Sequence, residues 1–452
     1  MNEAAKVNIN SVVDNSRLGL FQWGVFFLCG LCLIMDGFDL QAIGFVAPAL
    51  IRDWKIPSAS MGPVFSAALI GVLIGSLFFS MLADRIGRRP VLIGVTLYFS
   101  LLTFLTARAG SINELLILRF LGGIGLGGIM PNAMALVGEY SPTRVRVTAM
   151  MVVSNGFTLG AAFGGPIAAW LIPLYGWRGV FYFGAVTPVV IAVLMIFLLP
   201  ESLQFLALRG HNPAKLSRWL KHVDPSVNAG PETKFVIAEA KKKGVPIIHL
   251  FHDGRALGTA LLWVVNFMNL LNLYLLSNWL PTVIRDSGYS NTIAVNSGSI
   301  FQLGGVVGTL VLGVFVSRFG FTPVLTICFA LACLSIGAIG QPYLTLVLLF
   351  GLIFVAGFGI PGSQAGLNAF SATYYPTDLR ATGVGAGLGI GRVGAIVGPY
   401  VVGLMLARHW ANREIFLAAA IPALISCVVM LSLRWVIRPT TRTVSATEAL
   451  VH

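Results

Sequence analysis

The chain has 452 residues, of which 56% are hydrophobic and only 10% charged, and its mean hydropathy is +0.85. A water-soluble protein of this length cannot hide so much apolar surface, which excludes a soluble globular fold. A formal net charge of +13 invites a nucleic-acid reading, but the basic residues lie between apolar runs rather than on one patch.

Those runs recur along the chain, each long enough to cross a hydrocarbon core of about 30 Å. Spans are expected near 20–48, 60–82, 91–109, 113–140, 147–173, 178–199, 257–283, 293–316, 323–340, 342–370, 381–407 and 413–436. Backbone polar groups have no water there, so helices are the natural spanning form, and the alternation of a membrane barrel is absent. The expected class is an all-α integral membrane protein of twelve transmembrane helices. The first run is too long for a cleaved signal peptide, and no lipidation motif is expected at either end. With the N-terminus inside, inner segments hold 21 Lys and Arg and outer loops 7. That asymmetry predicts two cytoplasmic termini. Cys29, Cys32, Cys328, Cys333 and Cys427 all fall in spans; with no second ligand pair they read as small buried residues, and no metal site is expected.

The chain repeats itself. EYSPTRVRVTA at 139–149 matches TYYPTDLRATG at 373–383, with Tyr140, Pro142, Thr143, Arg146 and Thr148 facing Tyr374, Pro376, Thr377, Arg380 and Thr382. DRIGRRPVL at 84–92 matches SRFGFTPVL at 317–325, and Gly165-Pro166 matches Gly398-Pro399, all at an offset of 233 or 234. Two halves, 1–203 and 256–452, are therefore expected around a cytoplasmic linker at 204–255 that carries no catalytic motif. Six spans per half give parallel repeats, the arrangement of two bundles rocking about a midplane site.

LADRIGRRPVL at 82–92, LRFLGGIGLG at 118–127, GGP at 164–166 and PES at 200–202 together resemble the major facilitator superfamily over nearly the whole chain. Ser80 stands where the signature usually has glycine, and Ser317 and Thr322 stand where charged or titratable residues often occur in the second half. Asp36-Gly37-Phe38-Asp39, MPNA at 130–133, YPTDLRATG at 375–383 and GIGRVGAIVG at 389–398 resemble the aromatic acid:proton symporter family. The resemblance implies two pseudo-symmetric six-helix bundles in a bacterial inner membrane. It implies proton-coupled import of an aromatic carboxylate, a hydroxybenzoate or a ring-cleavage acid or lactone such as a muconate or muconolactone, with no cofactor. In the family, charges such as Asp84, Arg85, Arg88, Arg89, Glu139, Arg144, Arg146 and, in the second half, Arg380 latch the helices in the outward-facing state; a static solvated charge belt is the alternative.

An ionisable residue inside a span is a functional candidate because it is costly unless paired or hydrated. Asp36 and Asp39 share one helical face, and Arg119 lies at a similar depth. They are expected to load the driving proton, since two close carboxylates and an arginine couple their titrations; a static ion pair is the competing reading. Arg392 falls near the midplane of the eleventh span. Its planar fork fits a carboxylate, so it is expected to anchor the substrate anion, unless it pairs permanently with Asp36 or Asp39. Asn266, Asn269, Asn272, Gln302 and Gln364 are expected to line the substrate path, with Gln41, Asn132, Asn155 and Asn368 as further candidates; interhelical hydrogen bonds explain them equally well. Trp263, Tyr274, Trp279 and Phe301 are candidates for ring stacking, against plain packing. A membrane enzyme would need a nucleophile–base pair or metal ligands in the spans, whereas all six histidines (His211, His222, His249, His252, His409 and His452) fall outside them. An anion exporter on the same fold and a chemoreceptor for aromatic acids remain open alternatives. The expected partners are a small organic anion, the proton and the lipid bilayer, with no nucleic acid and no obligate protein partner.

Overall fold

The computed structural model describes residues 6–209, 213–224, 234–236, 247–341, 344–376 and 379–436. Thr377, His211 and His452 lie outside them. A short strand β1 (Lys6–Asn8) and helix α1 (Ile9–Asn15) precede the first long helix. Then follow α2 (Leu20–Trp54), α3 (Met61–Ile86), α4 (Arg88–Thr106), α5 (Ile112–Gly127), α6 (Ile129–Tyr140) and α7 (Thr143–Leu198). The linker holds α8 (Leu203–Arg209), α9 (Pro213–Val223) and β2 (Lys234–Val236). The second half is α10 (Ala256–Asp286), α11 (Asn291–Phe319), α12 (Phe321–Ile339), α13 (Leu346–Gly359), α14 (Pro361–Tyr374), α15 (Arg380–Ala407) and α16 (Asn412–Val436).

Among the described residues, eleven helical segments are long and apolar enough to cross a membrane. One of them, α7, has 56 residues and breaks at Gly176, whose φ of 67° is open to glycine. At about 1.5 Å per residue it is far too long for one crossing, so it is two spans joined at a turn and the total is twelve. The spans made of α5 and α6, and of α13 and α14, are each broken in the middle. Pro361 opens α14, where its missing N–H leaves no bond unmade. The linker is tied to the N-terminal segment: α9 packs on α1, and β1 pairs with β2 in parallel.

The two halves repeat down to individual contacts. A Cβ on Gly71 or Gly75 of α3 would strike the carbonyl oxygens of Phe120 or Ile124 of α5 at 2.2 and 1.8 Å. In the second half Gly304 and Gly308 of α11 meet those of Phe354 and Phe358 of α13 at 2.3 and 2.7 Å. Gly160 rests on Ile34, and Gly394 on Phe267, in the same way. Small residues let helices approach where lipid supplies no hydrophobic drive.

The bundles meet where α2 packs on α10, α7 on α11 and α3 on α15. The tight contacts lie in the half remote from the linker. Ser66 Oγ donates to Ile396 O at 2.8 Å, and Trp279 packs edge-on against Phe65 while its Nε1 donates to Pro399 O. Phe45 crosses the seam as a plug: added Cβ atoms on Gly164 and Gly298 would lie 2.6 and 2.7 Å from its ring.

Candidate functional site

Helix α2 is buried along most of its length and carries both carboxylates into the protein: Asp36 is 5% exposed and Asp39 1%. Their environments differ. Asp39 Oδ2 accepts from Arg119 at 3.1 Å, its backbone carbonyl accepts from the same guanidinium at 2.9 Å, and Oδ1 accepts from Thr103 Oγ1 at 2.7 Å. Arg119 also lies over the Phe181 ring, 5.9 Å from its centroid. This is a desolvated pair in which each charge has its partner within the first bundle, the arrangement that makes a buried ion pair tolerable. Thr103 and Phe181 completed it without any signal in the local sequence.

Asp36 stands outside that pair. Among the described residues it accepts no hydrogen bond and forms no ion pair, yet it lies within electrostatic reach of Asp39 and of Arg392 on α15. Tyr274 on α10 feels the charges of both Arg392 and Asp36. Arg392 is half-buried and forms no ion pair with either carboxylate among the described residues. The carboxylate, the guanidinium and the phenol therefore gather around the seam from three helices of both bundles.

The amides on α10 and its neighbours divide into two sets. Asn269 Nδ2 donates to Gln364 Oε1 at 2.8 Å, Gln364 Nε2 donates to Asn368 Oδ1 at 3.0 Å and reaches Asn266 Oδ1 at 3.5 Å. Asn266 Nδ2 donates to Leu262 O, and Gln302 Nε2 to Ser277 Oγ. Asn272, fully buried, has neither amide atom partnered among the described residues, and the same is true of Gln41 on α2. Trp279 and Phe301 are buried packing residues, and Trp263 packs edge-on against Phe251.

The charged residues at the linker face separate into two clusters. Glu201 accepts the backbone N–H groups of Arg88 and Arg89 at 2.9 and 3.1 Å and caps the turn at Gly87. Glu139 pairs with Arg88 and accepts from Ser202 Oγ, while Arg89 donates to Ile196 O. In the second cluster Asp14 accepts from the Thr143 hydroxyl and N–H at 2.5 and 2.7 Å. Arg146 reaches Asp14 at 3.8 Å, and Arg144 donates to the Asp14 and Ser16 carbonyls. The Thr143 hydroxyl first, then its N–H and the charges of Arg146 and Arg144, hold the Asp14 carboxyl below the usual carboxylate range. Asp84, Arg85 and Arg380 are exposed. Glu201, quoted only within the PES motif that reads as a helix end, and Asp14, which reads as part of a polar tail, are not among the expected site residues. Two cavities of about 480 and 420 Å³ open at the face remote from the linker, lined by Tyr289, Gln341 and Arg413 in one and Arg52, Tyr175 and Trp177 in the other; neither touches the seam.

Twelve spans in two pseudo-symmetric bundles, with ionisable and amide side chains gathered at the seam, define a multi-pass membrane transporter rather than an enzyme. The chain belongs to the Major Facilitator Superfamily, whose model matches residues 29–295 and 262–451. It is 39% identical to a 4-hydroxybenzoate transporter of Pseudomonas putida, over 93% of this chain and 94% of that one. It is also 39% identical to a gallate transporter of the same species, over 95% of each chain. In fold it is similar to a bacterial homologue of the human lysosomal transporter Spinster, solved in an inward-facing, occupied conformation, with a TM-score of 0.74 at 17% identity over 93% of this chain and 98% of that one.

Proposed function

We propose that the protein imports a small aromatic carboxylate of the hydroxybenzoate class together with a proton, by rocking its two bundles about the Asp36–Arg392 seam. The observation that carries this reading is the split between the carboxylates: Asp39 is neutralised in place by Arg119, while Asp36 is buried with no ion-pair partner among the described residues. A carboxylate so placed is free to gain and lose a proton as water and the Arg392 charge approach or withdraw. Asp39 and Arg119 form the rest of the coupling group by fixing the field and the helix rotation at Asp36.

Arg392 receives the substrate carboxylate, its fork matching the two oxygens. Asn272, with the Asn266–Asn269–Gln364 net and Gln302, forms the polar wall beside it. The relatives that carry 4-hydroxybenzoate and gallate support the substrate class.

The excess of basic residues on the linker side supports a bacterial inner-membrane protein with both termini cytoplasmic. In that orientation the close contacts of Ser66 with Ile396 and of Trp279 with Phe65 lie on the outer side of the seam. The 84–89 and 139–146 charges then act as gating elements, with Arg380 their counterpart in the second half.

Uptake of radiolabelled 4-hydroxybenzoate into proteoliposomes tests the reading. Wild type accumulates it only with an inward proton gradient. Asp36→Asn loses accumulation but keeps exchange of internal for external substrate, and Arg392→Ala loses binding. Uphill uptake by Asp36→Asn would sink the coupling assignment, and gradient-driven efflux would make the protein an exporter.

A further inference from the structure

Gln41 and Asn272 are the two buried amides, among the described residues, whose nitrogen and oxygen are both without a partner. Gln41 is 1% exposed and Asn272 fully buried. A buried polar group left unpaired carries its whole desolvation penalty, and native proteins retain such groups rarely and for a reason. The scaffold supplies none here, because the neighbouring amides are tied into the Asn269–Gln364–Asn368 chain and the Gln302–Ser277 bond.

Their positions point to the same seam. Gly44 lies against the Ser277 carbonyl and Phe45 against Gly298, both on the second bundle. Gln41 precedes them by three and four residues and so shares their face, one turn closer to Asp36. Asn272 precedes Trp279 by two turns, and Trp279 packs on Phe65 of the first bundle.

We propose that Gln41, with Asn272 on the other bundle, reads the ring hydroxyl of the substrate, making the carrier selective for hydroxylated over plain aromatic acids. The inference rests on the reading of Arg392 as the carboxylate anchor. A phenolic hydroxyl both donates and accepts, and an amide offers the complementary oxygen and nitrogen. When the bundles enclose a hydroxybenzoate, its hydroxyl satisfies the amide; an acid lacking the hydroxyl leaves it dry. A site built to bond a hydroxyl rejects the analogue without one far more strongly than a site that merely fits its shape.

The test is competition by unlabelled 4-hydroxybenzoate, benzoate and 4-methylbenzoate against labelled 4-hydroxybenzoate bound to purified protein. Wild type is expected to bind 4-hydroxybenzoate at least about tenfold more tightly than either analogue, a measurement that needs no variant. Gln41→Leu is expected to bring the ratio close to one by weakening hydroxybenzoate, read with labelled benzoate where the other signal is lost. Wild type that binds 4-methylbenzoate equally well, or a Gln41→Leu ratio like that of wild type, overturns the proposal. Arg392→Ala run in parallel separates the two claims. If it binds all three acids as wild type does, the anchor falls; if it loses all three while the Gln41→Leu ratio is unmoved, Gln41 alone falls.

Discussion

The two halves of the molecule place different chemistry on one backbone plan. A shift of 233 residues carries Asp36 and Asp39 of α2 onto Asn269 and Asn272 of α10. Asp39 is clamped by Arg119 and Thr103, whereas the positions matching that arginine and threonine hold Leu352 and Ile336, and Asn272 has no hydrogen-bond partner among the described residues. The signature turn behaves alike. Gly87 and Gly320 adopt positive φ at matching places, but Glu201 fills the space at Gly87 while a Cβ on Gly320 would meet nothing within 4 Å. The first bundle thus fixes Asp39 and its linker-face charges in networks and leaves Asp36 open, whereas the second offers neutral amides at the matching depth and, in Arg392, a half-buried arginine. A fixed pair neutralises its own charges and holds a helix in place, whereas amides and a lone cation are suited to a ligand that comes and goes.

The largest expected effect comes from giving the first half the chemistry of the second. Arg119→Leu leaves Asp39 buried and uncompensated and is expected to cost about 3–5 kcal/mol, seen as a large fall in the unfolding temperature of the purified protein. Adding Asp39→Asn, which copies the Asn272–Leu352 pattern, should restore most of it; a double variant no more stable than the single would break the comparison. The helix contacts sharpen it further. Gly75→Ala drives a methyl to 1.8 Å from the Ile124 carbonyl and should cost about 1–3 kcal/mol. Gly308→Ala, with 2.7 Å to Phe358, should cost visibly less in the same denaturation series.

Glu201→Gln removes the charge from an acceptor of two backbone N–H groups and should cost about 1 kcal/mol, since neutral bonds are roughly half as strong as charge-assisted ones. Faster hydrogen exchange at residues 86–90, with no change at 319–323, would locate the loss at the first turn alone. The smallest effect concerns the N-terminal segment. Because the Asp14 carboxyl is held below its ordinary range, the docking of α1 is fully supported near neutral pH and loses that support as pH falls through about 4 and below. Exchange at residues 9–15 should rise over that window in wild type, and Asp14→Asn should abolish the pH dependence.

Much of this architecture was legible in the sequence, and for definite reasons. The hydrocarbon core sets a minimum length for every span, so apolar runs gave most helix ends to within a few residues; the fifth and sixth spans meet directly at Gly176, the first span continues to Trp54 and the tenth to Tyr374. The internal matches around 84–92 and 139–149 exposed the two-fold design, because a backbone turn or a close helix contact demands the same small or kinked residue twice. The charges inside spans, Asp36, Asp39, Arg119 and Arg392, stood out by the cost of placing them there.

What the linear pattern left undecided was which charge belongs to which. Two aspartates three residues apart look equivalent in sequence, and only the packing of α4 and α5 against α2 gives Thr103 and Arg119 to Asp39 and leaves Asp36 at the seam. The same holds for the amides: Asn269 and Asn272 differ only in whether Gln364 reaches them across the second bundle. Glu201 likewise gains its role from the approach of the 87–89 turn, which lies over a hundred residues away along the chain. Span length and burial cost act locally along the chain, so the sequence by itself determined how many helices form and which side chains are expensive. Hydrogen bonds and ion pairs require atoms to come within about 3 Å, so tertiary structure alone decided which of those side chains are paid for by a fixed partner and which remain open to a proton and a substrate.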